Sequence, residues 1–91
     1  MSETEHFVEV AIPVPLTRLF TYRVPGPLVG KLRRGMRVAV PFSRRKVAGV
    51  VIRERDAPPE GVTRIYKVAG VLEPEPLFPE ELLAFLEEAA R

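Results

Sequence analysis

A chain of 91 residues with ten prolines has room for one modest hydrophobic core and is too short to enclose a deep enzyme cleft. The prolines argue against a helical bundle, because each removes a backbone donor and breaks a helix interior. Because cysteine is absent, disulfides and thiolate metal sites are excluded, and the single histidine, His6, cannot form a histidine-based metal site alone. No cofactor is expected.

Alternation of apolar residues predicts five short strands, which span residues 7–12, 19–24, 36–42, 46–55 and 63–72. On the first strand the inward face is predicted to carry Val8, Val10 and Ile12. On the fourth strand it is predicted to carry Ala48, Val50 and Ile52. The third and fourth strands form a hairpin in this interpretation, with basic residues at its tip.

The rest of the chain is predicted to frame this β unit within one domain, residues 1–91. Residues 1–6 form a flexible N-terminus, 7–72 the barrel, 73–78 a proline-rich spacer and 79–91 a C-terminal helix. An apolar stripe on the helix is expected to lie on the barrel and consists of Leu82, Leu83, Phe85, Leu86 and Ala89. The fold class is therefore mainly β, a small antiparallel open barrel of the OB or SH3-like kind.

Charge is distributed unevenly along the chain. Residues 10–53 carry ten basic side chains and no acidic one, whereas residues 73–91 carry six glutamates and one arginine. This asymmetry suggests a basic body that meets a polyanion and an acidic tail turned elsewhere. The alternative is a solvated surface whose cations only serve solubility. Two basic clusters, residues 31–34 and 44–46, would form one contiguous surface if their loops were neighbours.

Catalysis is poorly supported by the sequence. There is no plausible Ser-His-Asp set, no P-loop and no HExxH helix. The N-terminus is acidic and polar, unlike a signal peptide, and no apolar run approaches the length of a membrane span. A soluble cytoplasmic protein without membrane contact is the default expectation.

Aromatic residues at strand period admit two interpretations. Phe20 and Tyr22 share a strand face, where alternation alone favours core packing. One of the two at a strand end could instead offer a stacking surface for a nucleic-acid base. Phe42 and Tyr66 carry the same ambiguity.

Several segments follow one another in a distinctive order along the chain. They are Pro13-Val14-Pro15-Leu16, then Arg18, Phe20, Tyr22 and Val24-Pro25, then Gly35-Met36-Arg37-Val38-Ala39-Val40-Pro41-Phe42, Gly49-Val50-Val51 and Val71-Leu72-Glu73-Pro74-Glu75-Pro76. Together these segments resemble the N-terminal DNA-binding domain of the PriA family of bacterial replication-restart proteins. The resemblance covers about residues 8–86, and the order and spacing of the segments match.

The resemblance implies a non-catalytic pocket that accepts the 3′ end of a nascent strand at a stalled fork, with the helicase motor in later domains. Phe20 matches the family's pocket aromatic residue. Thr21 stands where many members have Asp, and Ser43 where Gly is common. The family's basic pocket residue falls at Tyr66, and the adjacent Lys67 is expected to take its charge role.

The residues expected to contact DNA are Arg18, Phe20, Thr21, Ser43, Arg44, Arg45, Lys46, Tyr66 and Lys67. Helicase domains of a longer chain and primosome proteins are the other implied partners. Two alternatives stay open: a protein-interaction module that docks on other domains or replication partners, and a general single-stranded nucleic-acid-binding barrel.

Overall fold

The computed structural model of the protein describes residues 5–13, 16–61, 64–73, 75–76 and 78–90. Five strands form one sheet in the order β2-β1-β4-β3-β5, in which every neighbouring pair is antiparallel. The elements in chain order are β1 (Phe7–Pro13), β2 (Thr17–Arg23), a 3₁₀ turn (Gly26–Leu28), β3 (Arg37–Phe42), β4 (Arg45–Arg55), β5 (Gly70–Val71) and the helix α1 (Glu80–Ala89). The predicted mainly β, open antiparallel barrel with a C-terminal helix is confirmed, and it is consistent with the OB-like kind.

The predicted fifth strand over residues 63–72 is wrong in its length. Of the described residues in this range, only Gly70 and Val71 pair with β3 as a strand, while the preceding segment bonds to Arg23 at the end of β2 and to Ala39 within β3. The Arg23 amide donates to the Tyr66 carbonyl at 2.8 Å, the Val68 amide to the Arg23 carbonyl at 3.0 Å, and the Ala69 amide to the Ala39 carbonyl at 2.7 Å. This segment therefore links the β2 edge to β3 across the open side of the sheet.

The main core lies on the concave side of the sheet. Its buried members come from β1, β2 and β3 as the alternation predicted, and they include Val8, Val10, Ile12, Tyr22, Val38 and Val40. The predicted inward face of β4 is wrong in part, because Ala48 is exposed and Val51 faces the main core, whereas Val50 and Ile52 pack in a second core. A register shift in the β1–β4 ladder between Glu9 and Val10 accompanies this arrangement.

Gly49 explains how β1 and β4 approach each other so closely. A Cβ atom built on this residue would lie 2.3 Å from Val10 Cγ1 and 3.2 Å from the Ala11 carbonyl oxygen. The absence of a side chain at Gly49 therefore permits this close approach.

The helix α1 covers a second, smaller core on the other side of the sheet. Leu83 is buried there with Ala11 and Ile52, and Leu19, Val50 and Phe78 pack around them. The predicted apolar stripe is wrong in part, because Leu82, Phe85 and Ala89 are exposed. Among the described residues, no helix is long and apolar enough to cross a bilayer.

Candidate functional site

A cavity of about 650 Å³ opens at the end of the barrel where β2 meets the β3–β4 hairpin, and we call it the end cavity. This volume falls within the range typical of small-ligand sites, about 300–1,000 Å³. The lining comes from β2, the hairpin and the segment before β5: Leu19, Phe20, Thr21, Tyr22, Pro41, Phe42, Ser43, Arg44, Pro59, Arg64 and Tyr66. Five of the nine residues expected to contact DNA are thus brought together: Phe20, Thr21, Ser43, Arg44 and Tyr66.

Aromatic packing and a buried hydroxyl fix the floor of the end cavity. The rings of Phe20 and Phe42 meet edge to face with centroids 5.1 Å apart. The Tyr22 hydroxyl donates to the Pro41 carbonyl at 2.8 Å, and burial raises the pKa of this phenol. Because β2 and β3 are not neighbours in the sheet, these contacts join strands across its open side. Phe20 therefore both packs against Phe42 and lines the end cavity.

The hairpin tip is a two-residue loop in an uncommon backbone conformation. Phe42 pairs with Arg45 across the ladder, and the loop residues Ser43 and Arg44 have φ values of 53° and 70°. Two consecutive positive φ values are the requirement of a type I′ turn, which matches the twist of the flanking strands. The turn places Ser43 and Arg44 in the lining of the end cavity.

A second, smaller depression lies beside the same hairpin, and we call it the side cavity. It has a volume of about 290 Å³ and is lined by Phe42, Ser43, Arg45 and Val47. Lys46, opposite Pro41 in the ladder, is exposed and lines neither cavity. Arg18, opposite Ile12 on β2, is also exposed and lines neither.

Arg64, and not Lys67, is the basic residue of the segment before β5 that lines the end cavity. Tyr66 is 54% exposed in the lining, and its hydroxyl beside Arg64 raises the pKa of that guanidinium. Lys67 forms a parallel bridge with Arg23 and lies outside the lining. Arg64 and the half-buried Pro59 were missed by sequence reasoning. Arg64 could have been found from the sequence, because residues two apart in an extended chain share a face and Arg64 lies two residues before Tyr66.

Ion pairs divide the basic residues into two groups. Arg34 pairs with Glu80 and Glu87, Arg37 with Glu73, and Arg53 with Glu9 and Glu87. The expectation that the acidic tail turns elsewhere is therefore wrong, because its glutamates neutralise part of the basic segment. Within the described ranges, by contrast, no acidic partner faces Arg44, Arg45, Lys46 or Arg64.

The two predicted basic clusters do not form one surface. Residues 31–34 precede β3 and residues 44–46 follow it, so the clusters lie at opposite ends of that strand. The guanidinium of Arg34 is held by Glu80 and by the Ile52 carbonyl at 2.9 Å. Among the described residues, the hairpin end therefore carries four cations without an acidic partner, Arg44, Arg45, Lys46 and Arg64, whereas Lys31 and Arg33 carry unpaired charge at the other end of β3.

The groups at the end cavity suit binding better than bond-breaking chemistry. Its lining offers aromatic rings, hydroxyls and guanidiniums, and none of the described lining residues carries a carboxylate, imidazole or thiol. In the part of the chain that the structure describes, no three His, Asp or Glu side chains converge on a possible metal position.

Comparisons with known proteins agree with a DNA-binding site. The model of the PriA 3′ DNA-binding domain (3′BD) matches residues 9–91. The replication restart protein PriA of Bacillus subtilis is 35% identical over 81 residues, which cover 86% of this chain and 10% of that protein. The PriA proteins of Haemophilus influenzae and Treponema pallidum are 40% and 34% identical, over 79% and 86% of this chain and 9% and 12% of their own lengths. No solved structure is significantly similar. This chain spans about a tenth of the length of the relatives.

Proposed function

This chain belongs to the PriA 3′ DNA-binding domain family, and from that premise we propose that it binds DNA in replication restart by receiving the 3′ end of a strand in the end cavity. One observation carries the proposal. The end cavity collects an exposed tyrosine ring, two hydroxyls and two guanidiniums that have no acidic partner among the described residues. The chain's part is binding, without catalysis.

Each of these groups in the end cavity can contact a different part of a terminal nucleotide. A free 3′ end differs from an internal nucleotide by a hydroxyl and by the absence of the next phosphate. The hydroxyls of Thr21 and Ser43 can accept a hydrogen bond from that 3′ hydroxyl. The Tyr66 ring offers a face for stacking of the terminal base, and Arg44 and Arg64 can bind the phosphate on its 5′ side.

The test compares single strands that differ only at the 3′ terminus. One strand ends in a 3′ hydroxyl, one in a 2′,3′-dideoxy nucleotide and one in a 3′ phosphate, and affinity is measured by fluorescence anisotropy. Loss of one neutral hydrogen bond predicts about two- to tenfold weaker binding of the dideoxy strand. The 3′-phosphate strand is also expected to bind more weakly. Equal affinity of all three strands would leave only a general single-strand-binding barrel.

A matched pair of variants locates the binding at the end cavity. Tyr66→Ala is expected to weaken binding by about 1–3 kcal/mol through lost stacking. Phe85→Ala removes another exposed aromatic ring, 66% accessible, from a helix that contributes nothing to either cavity. Because both rings are largely exposed, both variants should fold. An equal loss in both variants would contradict the proposed site.

The exposed face of α1 favours a second function, docking on a protein surface. Leu82 and Phe85 lie one helical turn apart and are 36% and 66% exposed, beside the exposed Glu81. Such a face suits an apolar groove with a basic rim. The relatives are about tenfold longer than this chain, and the helicase domains or primosome proteins that the sequence resemblance implies are the proposed source of this groove. Hydrogen exchange in α1 should then be slower in a full-length PriA protein carrying this domain than in the domain alone. Equal exchange would contradict docking.

A further inference from the structure

We infer that the β3–β4 hairpin separates two nucleotide subsites, with the terminal nucleotide in the end cavity and the penultimate nucleotide in the side cavity. The inference rests on the proposed function and extends it to a second nucleotide. It assigns a role to the side cavity and to Arg45, which the terminal nucleotide alone does not use.

The two cavities are adjacent, because they share two lining residues. Phe42 and Ser43 line both of them. The tight turn places two consecutive basic residues in different cavities: Arg44 lines the end cavity and Arg45 lines the side cavity. A strand whose last base occupies the end cavity therefore finds a second depression directly across the hairpin tip.

The chemistry of the side cavity suits a nucleotide of any sequence. Phe42 and the half-buried Val47 supply apolar surface for a base or sugar, and Arg45 supplies a guanidinium for a phosphate. Arg44, in the end cavity, can bind the phosphate that joins the two nucleotides, and Arg45, in the side cavity, can bind the phosphate on the 5′ side of the penultimate nucleotide. None of the described residues that line the side cavity is acidic, so none would repel this second phosphate. The ligand class is thus a 3′-terminal dinucleotide, bound without base-specific hydrogen bonds.

A length series tests the number of subsites. The domain is titrated with a 5′-phosphorylated mononucleotide, dinucleotide and trinucleotide of thymidine, each with a free 3′ hydroxyl, and affinity is followed by NMR. Affinity is expected to rise about tenfold from the mononucleotide to the dinucleotide and less than about threefold on adding the third nucleotide. Val47 methyl signals should shift with the dinucleotide and stay unchanged with the mononucleotide. An equal gain for each added nucleotide would overturn the inference.

Neighbouring cations provide the matched control. Arg45→Gln is expected to abolish most of the gain from mononucleotide to dinucleotide, and to lower mononucleotide affinity no more than Lys46→Gln does. Lys46→Gln removes the same charge one residue away, outside both cavities, and should preserve the gain. Equal losses in the two variants would show non-local electrostatics and would overturn the subsite.

Failure of the inference is distinguishable from failure of the proposed function. A preference for the 3′ hydroxyl over the dideoxy end, without a dinucleotide gain, would overturn only the second subsite. Absence of that preference in longer strands would remove the terminal subsite and the inference with it.

Discussion

Thr21 decides how strongly a 3′ hydroxyl can be selected. It lines the end cavity, and the sequence resemblance implies Asp at this position in many members of the family. A carboxylate acceptor forms a hydrogen bond roughly twice as strong as a neutral one. We therefore expect Thr21→Asp to raise the ratio of affinities for hydroxyl and dideoxy ends by about fivefold, even if total affinity falls through repulsion of phosphates. Anisotropy with the two strands measures this ratio.

Thr17→Asp is the control for that substitution. Thr17 lies on the same face of β2, is also half-buried and lies outside the cavity lining. An unchanged ratio is expected there. Since the new carboxylate in Thr21→Asp would lie opposite Glu9, circular dichroism must show that the variant is folded. A folded Thr21→Asp variant with the wild-type ratio would place the 3′ hydroxyl away from this position.

The backbone conformation of Ser43 at the hairpin tip is unfavourable for a residue with a side chain. Its φ of 53° lies in the left-handed region, which costs an L-residue roughly 1–2 kcal/mol and costs glycine almost nothing. The greater freedom of glycine in the unfolded chain offsets part of this cost. Ser43→Gly is therefore expected to raise the free energy of unfolding by about 0.5 kcal/mol, measured by urea denaturation. Ser43→Ala keeps the cost, so an equal gain in that variant would refute the conformational explanation.

At the scale of the elements, the β1–β4 contact depends on the absence of a side chain at Gly49. A Cβ atom there would overlap the buried Val10 side chain at 2.3 Å. Gly49→Ala is expected to cost about 1–3 kcal/mol of unfolding free energy through overpacking, a fall in Tm of at least about 4 °C. Gly26→Ala is the control, because a Cβ atom at Gly26 meets nothing within 4 Å. Similar losses in both variants would refute close packing as the cause.

Alternation along the sequence predicted the faces of β1, β2 and β3 because each has one face in the main core. It failed for residues 64–69, since their backbone bonds go to Arg23 and Ala39 on separate strands and form no continuous ladder. It also failed for Ala48 and Val51, because a strand buried on both faces gives no single period to follow. The ion pairs between Arg34 and Glu80 join residues 46 positions apart, which charge counting along the chain cannot reveal.

Ion pairs hold α1 and the segment before it on the sheet, and they make this contact sensitive to acid. A hydrogen bond from Arg34 lowers the pKa of Glu80 below its ordinary value of 4.5, and one from Arg37 does the same for Glu73. Carboxylates with lowered pKa values stabilise the fold above the unfolded pKa, and this stabilisation is lost as the pH falls through the folded pKa. We expect unfolding free energy to decrease as the pH falls below about 4.5.

Glu80→Gln should lower stability at about pH 7 and make less difference at about pH 3, because the stabilisation by the wild-type carboxylate is lost as the pH falls through its lowered pKa. Urea denaturation at both values measures the effect. Glu81→Gln changes the adjacent carboxylate, for which the described residues provide no ion pair, and should follow the wild-type profile. A Glu80→Gln profile parallel to that of the wild type would show that Arg34 gives no stability through this pair.

At the scale of the whole molecule, the ion pairs divide the surface into a basic end and a neutralised side. The six residues of β3 separate Arg37, paired with Glu73, from the hairpin tip by about 20 Å. This separation exceeds the Debye length of about 8 Å at physiological salt, so the Arg37–Glu73 pair should contribute little to the field at the hairpin tip. The unpaired cations at the hairpin should therefore contribute to DNA affinity, and the paired cations should not.

The salt dependence of binding tests this division. Each phosphate neutralised on a single strand contributes about 0.7 to the slope of log affinity against log salt. Arg44→Gln is expected to reduce the slope by about 0.7, because Arg44 lines the end cavity without an acidic partner in the described chain. Arg53→Gln should leave the slope unchanged, since Glu9 and Glu87 already neutralise Arg53. If both variants reduced the slope equally, net charge alone would govern DNA binding, and the position of the cations around the hairpin would not matter.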